Sequence, residues 1–142
     1  MERTTTYGAG SLSPVTTAVI DGSGIVVTRA ARSIALVRRY VADACVTLGW
    51  GDSVDIVTLL VSEVATNAVL HGSGPSIRVR VLNHGERLRV DVFDGSPVLP
   101  VQRRTALTAE DGRGLALVEA FAFQWGADAL PDGKTTWFEI DV

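Results

Sequence analysis

The feature that most constrains this chain is a change of period at Gly72. Ahead of it, apolar residues recur every three or four positions in two successive stretches, and behind it they alternate every second residue. Ile34, Val37, Val41, Cys45 and Leu48 share one face of a helix that begins near Ser33 and ends at Gly49. Asp52 then stands where an N-cap belongs for a second helix reaching His71, with Gly72 placed to close it in a left-handed conformation. In 77–81 and 88–92, apolar residues alternate with charged ones, the pattern of strands with one buried face, and His84-Gly85-Glu86 makes the turn between them. Helices followed by alternating strands predict an α+β chain: a two-layer α/β sandwich with helices on one face of a mostly antiparallel mixed sheet.

The remaining segments fit one domain over 14–142, preceded by a Thr-, Gly- and Ser-rich flexible tail over 1–13. Stretches 15–20 and 25–28, parted by Asp21-Gly22-Ser23-Gly24, read as one or two short strands. Residues 96–111 hold Pro97 and Pro100 and no steady period, which predicts a long loop, and such loops in compact domains are usually functional. A helix over 114–123, a strand over 123–127 and a last strand over 135–142 complete the chain. The net charge of -3 supplies no global positive field, which argues against direct nucleic-acid binding and against an anionic membrane surface. One cysteine, Cys45, and two distant histidines, His71 and His84, offer neither a disulfide nor a zinc pattern. No uninterrupted apolar run nears the roughly 18–20 residues of a membrane span, and the first residues lack a leader's basic and apolar regions, so a cytoplasmic location is expected.

Chemistry concentrates in three places. On the second helix the apolar arc runs through Leu59, Leu70, Ile56, Leu60, Val64, Val57, Ala68 and Val61, and Glu63, Asn67 and His71 fall within it at four-residue spacing. An unpaired buried polar group costs about 1–3 kcal/mol, so one such residue could simply bond neighbouring backbone, whereas three in a stripe point to a lined cleft. Asp94 shares strand parity with Leu88, Val90 and Val92, which aims it at the helical layer, while the Gly95-Ser96-Pro97 that follows equally suits a turn-forming aspartate. Finally, Asp111-Gly112-Arg113-Gly114-Leu115 opens a helix with two glycines and a guanidinium, a combination suited to an anion. Gly133-Lys134-Thr135 is not a P-loop, because the first glycine of that motif would fall on Asp128 and a strand follows instead of a helix. Gly112-Arg113-Gly114 is likewise no dinucleotide fingerprint, since Leu117 occupies the third glycine's place.

The ordered set Glu63-Val64-Ala65-Thr66-Asn67-Ala68-Val69-Leu70-His71-Gly72, Asp94-Gly95-Ser96-Pro97, Gly112-Arg113-Gly114-Leu115 and Gly133-Lys134-Thr135-Thr136 resembles the GHKL ATP-binding superfamily. Within it the likeness is greatest to the short anti-sigma-factor serine/threonine kinases of actinobacterial partner-switching systems, and it covers about residues 28–142. The resemblance implies the Bergerat fold and a cleft for ATP and Mg2+. It casts Asn67 as the magnesium ligand, Glu63 as general base, and Asp94 with Gly95 at the adenine amino group. It also counts His71, which closes the helix motif, among the nucleotide-binding residues, and implies that Gly112, Arg113, Gly114 and Leu115 form the phosphate-facing end of a lid. A threonine of the last strand supports the adenine site in this superfamily; Thr135 and Thr136 both qualify, and parity with Phe138 and Ile140 favours Thr136.

The implied substrate is a serine on an anti-anti-sigma-like protein, with a sigma factor as a second partner and a homodimer as a common state of such relatives. The alternative is a non-catalytic, nucleotide-dependent module that sequesters a sigma factor or another regulator. The superfamily's D-x-G-x-G is altered, with Ser96 and Val98 in place of two glycines, and Leu70 stands where sensor kinases often carry a lysine, for which Arg113 could substitute. The 142 residues hold no phosphoacceptor-histidine domain, which points away from a two-component sensor kinase.

Overall fold

The computed structural model describes residues 3–7, 16–21, 24–96 and 116–141. Its strands are β1 (Arg3–Tyr7), β2 (Thr16–Asp21), β3 (Gly24–Thr28), β4 (Ser76–Asn83), β5 (Arg87–Asp94), β6 (Gln124–Leu130) and β7 (Gly133–Asp141). They form one sheet in the order β1-β2-β3-β4-β5-β7-β6, and every described pairing is antiparallel. Two helices, α1 (Ile34–Thr47) and α2 (Val54–His71), cover one face, and residues 116–121 are also helical. The expected α+β sandwich is therefore the fold observed.

The alternation read in β4 and β5 places Ile77, Val79, Leu88, Val90 and Val92 in the core. Across the interlayer space they meet Val37, Val41 and Cys45 of α1 and Val57, Leu60, Val61, Val64, Ala65 and Ala68 of α2. Each fully buried aliphatic side chain here contributes about 1.5–3 kcal/mol relative to exposure. Ala65 and Ala68 carry no side chain beyond Cβ, so the C-terminal half of α2 can lie close to its neighbours.

Several expectations need correction. Residues 3–7, assigned by sequence to a tail, form β1 and pair with β2 from Arg3↔Ile20 to Tyr7↔Thr16. The β-branched threonines at 4, 5 and 6 favour extended backbone, a preference that outweighs their polarity once an open sheet edge is available. Asp52 is not an N-cap: it lies in a 3-10 turn, Gly51–Ser53, that feeds directly into α2, and Ser53 makes no side-chain capping bond. Gly72 is extended rather than left-handed, with φ -80 and ψ -173.

The apolar arc of α2 is also rotated from the one expected. Leu59 and Leu70 are 42% and 69% exposed, while Ala65 is fully buried, so Glu63, Asn67 and His71 run along the flank of the packed face. By length and composition Gly51–His71 qualifies as a possible membrane span, with mean hydropathy 1.5, despite lacking an unbroken apolar run. In this fold its buried positions belong to the interlayer core.

The opposite sheet face has a separate polar organisation. Asp91 accepts from Arg80 Nη2 at 2.6 Å and Arg89 Nε at 2.7 Å, and the Arg89 guanidinium stacks on Trp137. Trp137 in turn lies over Gly126, where a β-carbon would come within 2.8 Å of the indole.

Candidate functional site

The candidate residues gather where the C-terminal end of α2 meets the end of β5 and the start of β7. Chain reversal after α2 is secured by Arg29, just past β3. Its Nη1 donates to the Val69 carbonyl at 2.6 Å and its Nε to the Gly74 carbonyl at 2.7 Å. The guanidinium thus satisfies one of the carbonyls that a helix end leaves without an intrahelical partner. A second tie runs from Gly95 N to the Ser73 carbonyl at 2.9 Å, joining the end of β5 to the segment leaving α2.

Three glycines let this corner close around Asp94. A β-carbon on Gly72 would meet the Ala68 carbonyl oxygen at 2.2 Å, one on Gly95 the Ser73 carbonyl oxygen at 2.8 Å, and one on Gly133 the Asp94 carbonyl oxygen at 2.1 Å. The glycine at 72 is thus required by close approach, not by backbone hand.

Asp94 ends β5 on the helix-covered face and is 2% exposed. Its Oδ1 accepts from the Ser96 backbone N–H at 2.7 Å, a turn contact made by main chain and so independent of the side chain at 96. Directly across the ladder, Asp94↔Lys134, lies the chain's single lysine, itself 1% exposed. Lys134 Nζ stands 3.0 Å from Oδ1 and 2.9 Å from Oδ2, bridging the carboxylate. The next inward pair is Val92↔Thr136, and Thr136 is 5% exposed.

Asp94, Gly95, Thr136 and the His71-Gly72 end of α2 are therefore gathered at one end of the interlayer space. Glu63 and Asn67 lie on the same helix flank as His71, two and one four-residue steps before it, about 6 Å per step. Thr135 is not part of this group. It lies on the opposite sheet face, lining a groove of about 380 Å³ with Val26, Arg78, Asp91 and Phe93. Gly112, Arg113, Gly114 and Leu115 fall outside the described residues.

Sequence reasoning missed Lys134 and Arg29. Lys134 is legible in principle, since it shares parity with Thr136, Phe138 and Ile140, which turns it toward the helical layer. Arg29 has no local signal, because its acceptors are 40 and 45 residues away.

Among the described residues no three His, Cys, Asp or Glu side chains converge where they could hold a metal ion. A cation here would depend on oxygens from a ligand, which suits Mg2+, an ion that keeps few protein ligands and takes the rest from phosphates and water.

A buried polar corner, packed around three glycines, thus joins a helix end to two strand ends in an α+β sandwich. The chain belongs to the histidine kinase-like ATPase domain family, whose model matches residues 27–140. Domains of this GHKL type bind ATP, generally with Mg2+. No curated protein matches the chain. Among solved structures, it is similar to the histidine kinase domain of a blue-light activated histidine kinase from Erythrobacter litoralis EL346, at 24% identity and a TM-score of 0.47. That match covers 64% of this chain and 45% of the other.

Proposed function

We propose that this domain is a serine/threonine protein kinase and anti-sigma factor. In this reading it transfers the γ-phosphoryl group of ATP to a serine of an anti-anti-sigma-like protein and acts in the cytoplasm. The observation that carries the proposal is the placement of Glu63 one helical turn before Asn67 on the flank of α2, the helix whose following residue, Gly72, packs against Asp94. Asn67 offers an amide oxygen to Mg2+, which when bound neutralises phosphate charge. Glu63 stands one turn farther from Asp94, where it accepts the proton of an attacking hydroxyl as the oxygen–phosphorus bond forms, the bond from the γ-phosphorus to the bridging oxygen breaks and ADP leaves. Asp94 accepts from the base amino group, with Thr136 beside it. Phosphoryl transfer of this kind depends chiefly on positioning and charge stabilisation.

The test is transfer from γ-labelled ATP into proteins of a host extract, with phosphoserine located by mass spectrometry. Glu63→Ala is expected to keep ATP binding and abolish transfer, and transfer that survives the substitution contradicts the catalytic assignment. The second reading, a binding module that holds a sigma factor without chemistry, is favoured by a Glu63→Ala protein that keeps its full regulatory effect in cells.

A further inference from the structure

The sheet face turned away from the helices carries a groove of about 380 Å³ that the kinase reading does not use. Its floor is one rung of the sheet: Val26, Arg78, Phe93 and Thr135 are successive cross-strand partners on β3, β4, β5 and β7. Neighbouring strands lie about 4.8 Å apart, so the floor is roughly 14 Å long. Tall side chains raise one wall, since Arg80 and Arg89 both bond Asp91 and Arg89 stacks on Trp137. On the other side Ser76, two residues before Arg78, is short, and Gly133, two before Thr135, has no side chain. Leu130 and Asp132 stand at the far end, by the turn between β6 and β7.

The cation on this floor lacks a counter-charge. Asp91, 3% exposed, is shared by Arg80 and Arg89, whereas the exposed guanidinium of Arg78 has no hydrogen bond or ion pair among the described residues, Asp132 included. The Ser76 and Thr135 hydroxyls in the same groove likewise have no described partner. A guanidinium presents a planar fork that fits a carboxylate through two parallel hydrogen bonds. Directly across the ladder from Arg78 lies the half-buried ring of Phe93, with Val26 on its other flank, so an anion held there has apolar surface on both sides. Asp91 and Asp132 line the same space and repel a second negative charge. We propose that this groove binds an organic monocarboxylate with a small aromatic or branched apolar body, its carboxylate on Arg78 and its body against Phe93 and Val26. The volume lies within the range of small-ligand clefts. The site is independent of the nucleotide reading, although it backs on the Asp94 corner, with Phe93 and Thr135 adjoining Asp94, Lys134 and Thr136 in the chain.

The probe is sodium phenylacetate, titrated into the full chain without nucleotide and followed by heteronuclear NMR at the Arg78 Nε–H and the Phe93 and Thr135 amides. The expected result is saturable binding with a dissociation constant on the order of 1 mM, ordinary for a ligand of about ten non-hydrogen atoms, and with shifts centred on the groove. Phenylacetamide, which lacks the charge, and phenylmalonate, which adds a second carboxylate, should each bind at least about fivefold more weakly, the scale of a partly exposed ion pair. Arg78→Gln, at an exposed position, should weaken phenylacetate by at least about the same factor. Absence of saturation, shifts centred elsewhere, either analogue binding as tightly as phenylacetate, or unchanged binding by the folded variant overturns the proposal. Groove signals that move when the chain alone is diluted and ignore phenylacetate identify a second copy as the occupant, which overturns it as well. Should Arg78→Gln fail to fold, the comparison of phenylacetate with its two analogues on the unmodified chain decides alone.

Discussion

A β-carbon on Gly72 would stand 2.9 Å from Cγ of Asp94 and 2.2 Å from the carbonyl oxygen of Ala68. The last turn of α2 and the carboxylate at the end of β5 are therefore in contact across a gap that only hydrogen fills. Gly72→Ala forces backbone to shift at a packed corner, a change that typically costs about 1–3 kcal/mol. For a chain of this size we expect a melting-temperature drop of roughly 3–12 °C. ATP affinity should fall with it, because Asp94 is pushed from its place. Calorimetric melting and nucleotide titration of the variant check this, and an unaltered melting temperature contradicts the packing.

The Asp94–Lys134 pair makes a separate statement about stability. Lys134→Met alone leaves a buried carboxylate without its cation, a loss of about 3–5 kcal/mol. Replacing both ions with the neutral pair Asp94→Asn and Lys134→Met should restore most of that. Urea unfolding of the two singles and the double measures the coupling. A double variant as unstable as the sum of the singles shows that the ions do not act as a pair.

Cys45 is fully buried against the sheet, and desolvation pushes its thiol pKa up to about 11 from 9.0. Because the folded value is the higher one, the unfolded chain loses its thiol proton first as pH rises. Stability attributable to this group is thus fully present below about pH 9 and declines between about pH 9 and 11. Cys45→Ala should flatten that part of the pH profile in denaturant melts while lowering stability at neutral pH through the cavity it leaves. In the native protein the thiol should resist a maleimide probe at pH 8 and react once urea unfolds the chain. Rapid native labelling counts against the burial.

The layers of the fold were legible because their signals are local. Alternation in β4 and β5 and the three- to four-residue spacing in α1 follow from burying one face, and the observed core uses those residues. The orientation of α2 was less legible. Its apolar residues occupy much of the helix circumference, so the packed side, which includes Ala65 and Ala68, is selected by which neighbours can approach. β1 was missed because an edge strand of polar, β-branched residues carries no buried-face pattern. At the site, parity was sufficient to put Asp94 and Thr136 inward. The Asp94–Lys134 bridge spans 40 residues, and the reason for a glycine at 72 is a contact with another strand. Neither leaves a trace in local spacing.

The central claim is that the cleft between α2 and the ends of β5 and β7 binds ATP with magnesium through Asn67. Isothermal titration of the intact chain with ATP and MgCl2, beside the same titration of Asn67→Ala, tests it most directly. Asn67 is only half-buried, so the substitution should leave the fold intact. The account predicts magnesium-dependent, one-to-one binding that the variant loses. Equal binding by a folded Asn67→Ala protein contradicts it.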